Sequence, residues 1–539
     1  MKGRVLVAVI LATVLALVLR CPRLGERTMH NDEGVNAIKF RELWEHKSYK
    51  YDPTEYHGPS LYYATLAFEC LTGAPRFEQF NEARLRAVTV LFGIGLILLL
   101  PTIADGLGKT ACIAAAVLTA VSPAFVFYSR DYIHEVLLVF FALLAMAAAW
   151  RYWRTRKLPW ALLAGAGVGF MWATKETFVI TLAAAGIALG LNQFWNRKLD
   201  ASGLPIRAPR LNFLHLALAL TVCLLVWILM FSSFFTNGAG LLDSFRTYSS
   251  WFNRAAGNSA HIHPWHFYFD RLLFFHVHNG PIWSEGLIFV LAIIGAITGF
   301  ARKGLSDANA SFVRFVALYT FALTSAYCFI SYKTPWCLLN FWQGMILLAG
   351  VGAAVLIHAA RFQWAKAVAT VLLLAGAGQL AAQAWQAAVS KPQAAATKPP
   401  VWWAVDRRNP YVYAQSSADI LRLAHQVEAL AEASPLKYHM RINVIAPEGD
   451  YWPLPWYFRK FDRVGWWDKL PDDPYASVMI VSANLHAALD EKKTHVMVGY
   501  FEVRPDLAPD SESRLPGTFF ELYVELPLWR AYLEKHPAE

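Results

Sequence analysis

The sequence has few charged residues for its length. Of its 539 residues, 16% are charged and 56% are hydrophobic, whereas about a quarter of the residues of a soluble protein are charged. Long stretches that are nearly free of charge recur through the first 390 residues. Such stretches are typical of helices that cross a membrane. The composition therefore excludes an ordinary soluble protein and indicates a chain with many membrane spans.

Cysteine is also scarce. The chain has six cysteines, all before residue 400 and mostly within or beside apolar runs. No two of them form a close CxxC pair, and the polar C-terminal part has none. The pattern therefore supports neither a structural zinc site nor a disulfide framework.

Acidic residues are few in the apolar part of the chain. Residues 401–539 contain 15 basic and 20 acidic residues, and residues 1–400 contain 34 basic and 19 acidic ones. The positive net charge of +10 therefore belongs to the part with the apolar runs. Basic loops beside membrane spans explain this excess, so we do not expect nucleic acid as a partner.

About eleven apolar segments predict transmembrane helices in residues 1–390. The first covers Val5 to Leu19, and no small-residue cleavage site follows it, so we expect a retained anchor rather than a signal peptide. Residues 21–83 are mixed in polarity and predict short helices on the membrane surface, at 37–44 and 61–71. The other ten predicted spans are 85–103, 111–128, 136–150, 160–173, 178–191, 211–235, 282–301, 312–332, 338–358 and 364–387.

The basic residues also predict the orientation of the chain. They gather near the N-terminus and in the loops 151–157, 197–210, 302–303 and 361–366. With about eleven spans, these regions share one side of the membrane, which is the cytoplasm by the positive-inside rule. We therefore expect a cytoplasmic N-terminus and an extracytoplasmic (periplasmic) C-terminal part. The absence of an obvious eukaryotic targeting pattern fits the plasma (inner) membrane of a prokaryote.

The C-terminal part predicts a separate domain. Residues 391–400 form a linker rich in Pro, Ala and Lys, and residues 401–539 have the size of an ordinary domain. A helix is expected at 417–433, and strands are expected at 442–446, 477–482, 496–503 and 519–526. The predicted fold is a polytopic α-helical membrane protein over residues 1–390 with a C-terminal extracytoplasmic α/β domain.

Two adjacent carboxylates, Asp32 and Glu33, stand where the first span should leave the bilayer. Carboxylates at a membrane boundary are costly unless they are solvated or used, so we interpret them as catalytic. The alternative is a surface helix that Asn31 caps.

A second charged cluster contains Arg130, Asp131, His134 and Glu135. If Asp131 begins the next helix, Asp131, His134 and Glu135 share one helix face. They would then form a second acidic wall facing Asp32. The alternative is a helix start that favours acidic residues for its own stability.

Further polar residues are expected on the same side of the membrane. Arg130, Lys175 and Lys333 are suited to binding a lipid phosphate, although snorkelling also explains a lysine at the end of a span. The segment 261–278 contains five histidines, but their spacing matches no standard zinc pattern. We therefore interpret these histidines as interfacial residues.

Several motifs occur in an order that resembles a known superfamily. They are His30-Asn31-Asp32-Glu33-Gly34, Tyr56-His57-Gly58-Pro59, Ala83-Arg84-Leu85-Arg86, Tyr128-Ser129-Arg130-Asp131 and Thr174-Lys175-Glu176. The series resembles the C-type glycosyltransferases, polytopic enzymes that use polyprenyl-phosphate-linked sugars. The superfamily includes the protein O-mannosyltransferases and the lipid A aminoarabinose transferases.

A narrower resemblance involves four later motifs. They are His263-Pro264-Trp265, Tyr332-Lys333-Thr334-Pro335-Trp336, Asn409-Pro410-Tyr411-Val412-Tyr413-Ala414 and Pro453-Leu454-Pro455-Trp456-Tyr457. These motifs are similar to a prokaryotic subfamily described as flippase-activity-associated and linked with archaeal protein glycosylation. Together the two series span nearly the whole chain.

The resemblance implies an inverting glycosyltransferase of the hexosyltransferase type. It would move a sugar from a polyprenyl-phosphate donor to a protein, lipid or envelope glycan. Asp32 would be the general base or would position the acceptor, assisted by Glu33 and Asp131, and Arg130, Lys175 and Lys333 would neutralise the leaving phosphate. The remaining residues expected to bind substrate are His57, His134, Glu135, Glu176, His263, Trp265 and Trp336.

Cofactor and acceptor are less constrained by the resemblance. Some superfamily members hold a divalent metal, Mg²⁺ or Mn²⁺, with the first-loop acid, and others work without one. Asp32 and Asp131 are the candidate ligands here, and no cofactor is assigned. The C-terminal domain is expected to hold the acceptor. Its tryptophans at 452, 456, 466 and 467 are suited either to stacking on sugar rings or to core packing.

Two other functions stay open. A lipid-sugar flippase would carry charges along a path through the bilayer, whereas the charges here gather on one face and no inverted repeat is evident. This pattern favours an enzyme. A non-catalytic partner in an envelope glycan assembly is the third hypothesis.

Overall fold

The computed structural model describes residues 2–54, 57–73, 76–198, 212–256, 261–391, 393–395, 398–504 and 517–536. Helices dominate up to residue 388, and a sheet with flanking helices follows residue 418. The molecule is thus a helical part followed by a smaller α/β part, as the sequence predicts.

Eight helices in the described residues are long and apolar enough to cross a membrane, which identifies an integral membrane protein. They are Gly3–Arg20, Glu82–Leu107, Glu135–Thr155, Phe178–Asn196, Phe213–Phe231, Ala310–Phe329, Pro335–Ala359 and Gln363–Ala388. Three shorter apolar helices are Lys109–Val121, Leu158–Trp172 and Gly286–Ala301. The polytopic helical fold is confirmed, and the number of eleven spans stays a prediction.

One predicted span is interrupted. The segment 111–128 forms two helices, Lys109–Val121 and Pro123–Tyr128, which are separated at Ser122. Ser122 has a non-helical ψ of 119°, and its hydroxyl accepts a hydrogen bond from the Phe125 N–H. A proline favours the first position of a helix and disfavours helical backbone in the residue before it, so the chain breaks here.

Glycines bring two membrane helices into close contact. A Cβ atom on Gly295 would lie 2.1 Å from the carbonyl oxygen of Leu348, and one on Gly352 would lie 2.0 Å from that of Leu291. The helices Gly286–Ala301 and Leu339–Ala359 therefore touch backbone to backbone, which is a common way for membrane helices to associate.

The loop between the first two spans contains the expected short helices. Asn31–His46 and Ser60–Thr72 lie close to the predicted positions. A second long loop contains Gly240–Ala256 and Phe267–Leu273. Three of these helices, Asn31–His46, Gly240–Ala256 and Phe267–Leu273, contribute residues to the wall of the cavity described below.

The C-terminal part contains a five-stranded mixed sheet, which confirms the predicted α/β domain. In spatial order its strands are Val464–Trp467, Ile442–Ile445, Val478–Ser482, Thr518–Glu525 and His495–Arg504. The first three are parallel to one another. Thr518–Glu525 pairs antiparallel with Val478–Ser482 on one side and with His495–Arg504 on the other. The main flanking helices are Asp419–Ala433 and Leu526–Lys535.

The segment before the sheet packs against the helical part. The Asn409 side-chain amide donates to the carbonyl oxygen of Ala387 at 3.1 Å, and the Tyr411 hydroxyl donates to Glu285 at 2.8 Å. The predicted linker also contains a short hairpin, Gln393–Ala395 with Lys398–Val401. Residues 402–416, expected to begin the soluble domain, are therefore anchored to the helices and connect them to the sheet.

Candidate active site

A cavity of about 710 Å³ lies between the loops of the helical part and the edge of the C-terminal domain. The predicted site residues in its wall are Asp32, His57, His134, Glu135, Lys175, Glu176 and Trp336. The C-terminal segments contribute Tyr413, Ala414, Glu448, Gly449, Trp452 and Arg504. Residues that are more than 370 positions apart in the sequence thus meet in one place.

Asp32 lies in the first turn of the helix Asn31–His46 and is half-buried in the cavity wall. His30, rather than Asn31, caps this helix. The His30 Nδ1 accepts a hydrogen bond from the Asp32 N–H at 3.0 Å, and its Nε2–H donates to the carbonyl oxygen of Tyr413 at 2.8 Å. Because both ring nitrogens are engaged in this way, His30 ties the acidic loop to the C-terminal segment.

Glu33 points away from the cavity and is fully buried. Its carboxylate pairs with Arg86 at 2.7 Å and accepts the backbone N–H groups of His30 at 2.9 Å and Tyr132 at 2.8 Å. Burial alone would raise the pKa of Glu33, but the Arg86 guanidinium and these hydrogen bonds lower it to about 2. Glu33 is therefore a charged residue that holds two loops together beside Asp32.

Asp131 and Arg130 differ from the expected arrangement. The helix begins at Glu135 rather than at Asp131, so Asp131 does not share the helix face of His134 and Glu135. Asp131 forms a buried ion pair with Arg27. Arg130 donates to the carbonyl oxygen of Arg20 at 2.5 Å, at the end of the first helix, where cations satisfy free carbonyls. Neither side chain is among the described residues of the cavity wall.

His57, His134 and Glu176 form one part of the cavity wall. His57 Nδ1 lies 3.0 Å from Glu176 Oε2, and His134 Nε2–H donates to the carbonyl oxygen of Gly58 at 3.0 Å. Burial would raise the pKa of Glu176, but His57 lowers it. Burial also lowers the pKa of His134 well below its ordinary value, so this ring is neutral. Trp251 stacks on His57 with ring centroids 5.3 Å apart.

Lys175 and Glu135 form an ion pair in the cavity wall. The Cys337 sulfur lies 3.9 Å from the Lys175 ammonium nitrogen. A paired lysine at a cavity wall places positive charge at a fixed position without leaving a bare buried cation. The structure thus brings Lys175 next to Glu135, a neighbour that sequence spacing does not predict.

Three other predicted substrate-binding residues lie outside the described cavity wall. Lys333 donates to the carbonyl oxygens of His263 at 2.9 Å and Ile330 at 2.5 Å, so it holds a loop. Burial lowers the pKa of His263 to about 3, and its ring lies 3.1 Å from the Tyr413 hydroxyl. Trp265 is 64% exposed.

Sequence reasoning missed Tyr413 as a central residue of the site. Its hydroxyl lies 2.7 Å from His261 Nδ1, its carbonyl accepts from His30, and its ring is 6.1 Å from that of Trp336. Tyr413 belongs to one of the motifs that support the narrower resemblance, which was the available signal. Its role depends on contacts with residues more than 70 positions away, which spacing cannot predict.

Comparisons with known proteins agree with this architecture. Residues 57–227 match the family model described as dolichyl-phosphate-mannose-protein mannosyltransferase. The crystal structure of ArnT from Cupriavidus metallidurans in the apo state superposes with a TM-score of 0.60 at 14% identity, covering 96% of this chain and 98% of that chain. The same protein bound to undecaprenyl phosphate gives 0.58 at 15% identity with the same coverage. The chain has the C-type glycosyltransferase fold.

A further match to this fold is the Archaeoglobus fulgidus oligosaccharyltransferase tethered with an acceptor peptide. It has a TM-score of 0.54 at 14% identity and covers 86% of this chain, which spans only 64% of that protein. Among curated proteins, the sequence comparison finds no match. The resemblance to the C-type superfamily, proposed from the ordered motifs, is confirmed.

The described residues do not form a metal site. They contain no group of three or more His, Cys, Asp or Glu side chains placed to hold an ion. Asp131, the expected second ligand, is engaged by Arg27. The arrangement therefore does not fit the Mg²⁺ or Mn²⁺ site considered from the sequence.

Proposed function

We propose that the protein is an inverting glycosyltransferase that moves a sugar from a polyprenyl-phosphate donor to an extracytoplasmic acceptor. The observation that carries this proposal is the single cavity that contains both the Asp32 carboxylate and the Lys175–Glu135 pair. The C-type fold supports it. ArnT is described bound to undecaprenyl phosphate, and the archaeal relative is described with an acceptor peptide.

The cavity wall is suited to a lipid-linked donor. Val179, Ile180, Phe252 and Ile330 give the wall apolar surface, which would suit the first isoprene units of a polyprenyl chain. Lys175 lies in the same wall and would face the phosphate. A fixed ammonium group stabilises the phosphate as negative charge develops on it.

The reaction would be a single displacement. The acceptor hydroxyl oxygen attacks the anomeric carbon, and its proton passes to the Asp32 carboxylate. The bond between the anomeric carbon and the phosphate oxygen breaks, and polyprenyl phosphate leaves with the electron pair. Attack from the face opposite the leaving group inverts the anomeric configuration. Glu33, with Arg86, His30 and Tyr132, holds the loop that presents Asp32.

We also propose the plasma membrane of a prokaryote as the location, with the catalytic cavity outside the cytoplasm. The first-loop helices, the cavity and the C-terminal domain lie together. This agrees with the side that the basic loops predict for residues after 390.

Turnover of Asp32→Asn tests the proposal. Full-length protein in lipid vesicles would receive labelled polyprenyl-phosphate sugars and crude envelope acceptors, and release of polyprenyl phosphate would be followed. We expect Asp32→Asn to lose at least about a hundredfold in rate, the usual size of a general-base contribution. Glu45→Gln is the matched control, because Glu45 is an exposed carboxylate on the same helix.

The alternatives give different results in this assay. A flippase would move lipid-linked sugar across the bilayer in both forms and would transfer none. A structural partner would do neither, and its interactions would tolerate Asp32→Asn. Transfer by the natural protein with an unchanged rate in Asp32→Asn would contradict the assignment of Asp32.

A further inference from the structure

We propose that the acceptor is a saccharide and that it binds between Trp452, Glu448 and Arg504 of the C-terminal domain. This inference rests on the proposed function, since it names the acceptor class of the same cavity. All three residues lie in the cavity wall that also contains Asp32.

Trp452 is the one of four candidate tryptophans that is available to a ligand in the cavity. Trp456 is fully buried and donates its Nε1–H to Glu82 at 2.8 Å. Trp466 packs on the Tyr451 ring at 4.8 Å, and Trp467 lies on an outer strand of the sheet. The other three indoles therefore lie outside the described cavity wall, and of the four candidates only Trp452 lines it.

Trp452 lies next to the acidic loop. A Cβ atom on Gly34 would lie 2.5 Å from Pro453 Cβ and 3.6 Å from the Trp452 ring. The absence of a side chain at Gly34 thus lets the 452–453 segment pack on the first turn of the helix that carries Asp32. An acceptor ring stacked on Trp452 would place its hydroxyls near this carboxylate.

Glu448 and Arg504 supply the polar groups that a sugar needs. Glu448 is exposed and has a left-handed backbone with φ of 55°, which is unusual for a residue with a side chain and is common at ligand sites. The Arg504 Nη2 donates to Asp450 at 2.7 Å and to the Thr518 hydroxyl at 2.9 Å, which fixes the guanidinium. A sugar hydroxyl can donate to the carboxylate and accept from the guanidinium.

The sheet edge beside the cavity argues against an extended peptide as the acceptor. His495–Arg504 is an outer strand, and such strands are a common docking place for peptides. Its cavity end is already covered, because the Ser417 N–H donates to the carbonyl oxygen of Val503 at 2.8 Å. An acceptor at this end would therefore be bound by side chains rather than by the strand backbone. These side chains are the Trp452 indole, the Glu448 carboxylate and the Arg504 guanidinium.

Binding measured without turnover tests this inference directly. Saturation-transfer NMR would use neutral hexose trisaccharides as probes and the full-length protein in nanodiscs. We expect Trp452→Ala and Glu448→Gln to weaken binding about tenfold and Trp452→Phe to retain most of it. Trp467→Ala and Glu491→Gln are matched controls on exposed surface of the same domain, and they should change the affinity by less than about twofold.

Each outcome is decisive. The inference is overturned if the trisaccharides do not bind, if all variants bind them equally, or if only a Ser/Thr-containing peptide binds in a Trp452-dependent manner. Transfer of the sugar to a peptide, with release of polyprenyl phosphate and no trisaccharide binding, would leave the proposed function standing and remove the saccharide acceptor. Trisaccharide binding that depends on Trp452, in a protein that transfers no sugar, would leave a saccharide site standing and remove the proposed function.

Discussion

Glu33 illustrates how a charged residue supports a site without lining it. Its carboxylate is buried, and it accepts hydrogen bonds from Arg86 and from the backbone of both loops that flank the cavity. Its neighbour Asp32 instead lies in the cavity wall. Two adjacent acids therefore have different roles because they point in directions about 100° apart on one helix.

We expect Glu33→Gln to destabilise the protein by about 3–5 kcal/mol, because it leaves the buried Arg86 without its charged partner. Thermal unfolding in detergent, followed by loss of the monodisperse peak, measures this change. Glu45→Gln is the control, since its exposed pair with Arg41 contributes little.

The same residue predicts a pH dependence. The pKa of Glu33 is lowered in the folded protein from an ordinary 4.5 to about 2. Its stabilising contribution is therefore complete above pH 4.5 and is lost as the pH falls towards 2. The natural protein should lose stability more steeply than Glu33→Gln over this interval, and equal slopes would contradict the assignment.

Lys175 and Glu135 allow binding and stability to be separated. Lys175→Gln leaves Glu135 buried without its cation, so we expect both lower stability and a higher KM for the donor. In the double variant Lys175→Gln/Glu135→Gln, the stability should recover while the donor KM stays raised by about tenfold or more. A donor KM that recovers with the stability would mean that Lys175 does not contact the phosphate.

The sequence singled out Asp32, Lys175 and Glu176 from charge at the ends of spans, and the structure places all three in one cavity wall. The sequence leaves their catalytic and binding roles as predictions. It misplaced Asp131, because the phase of that helix depends on where it begins, and the helix begins four residues later. It assigned Arg130 to a phosphate, although Arg130 caps the first helix through contacts more than 100 positions away.

At the scale of elements, a long apolar segment predicts a helix well, whereas breaks within such a segment and short strands are hard to predict from sequence. The predicted spans lie close to the observed helices because about 20 apolar residues form a helix in a membrane with few alternatives. The strand Val464–Trp467 was missed because it has four residues, contains a glycine and lacks alternation. Its position depends on pairing with Ile442–Ile445.

The glycine contact between two membrane helices gives a prediction at this scale. Gly352→Ala would bring a Cβ to within 2.0 Å of the Leu291 carbonyl oxygen, so the helices must separate. We expect a loss of about 1–3 kcal/mol in stability, the usual cost of overpacking. Gly378→Ala is the control in another helix, because its Cβ would meet nothing within 4 Å. Thermal unfolding of both variants in detergent compares them.

At the scale of the whole molecule, the two ends of the helical part differ in chemistry. The cavity, the polar loop helices and the α/β domain lie at one end, and the basic loop at 302–303 belongs to the predicted cytoplasmic side. This division agrees with the orientation that the basic loops and the count of about eleven spans predict, and the orientation itself stays a prediction.

Labelling with a membrane-impermeant maleimide tests the orientation. In a background without the natural cysteines, Lys469→Cys in the α/β domain should react in intact cells. Lys303→Cys should react only after the membrane is opened, because it would face the cytoplasm. Both lysines are exposed, so accessibility on the protein itself is matched. Labelling of Lys303→Cys in intact cells would contradict the proposed topology.

The cavity has a consequence for the biosynthesis of the protein. Its wall combines residues from 30 onward with Tyr413, Glu448, Trp452 and Arg504, which are synthesised after the membrane helices. A nascent chain that has inserted its helices already carries Asp32 but has no completed cavity around it. The cavity wall is therefore complete only after the C-terminal segments have packed beside Gly34. Under the proposed function, a chain that has made only its helices would have no complete site for sugar transfer.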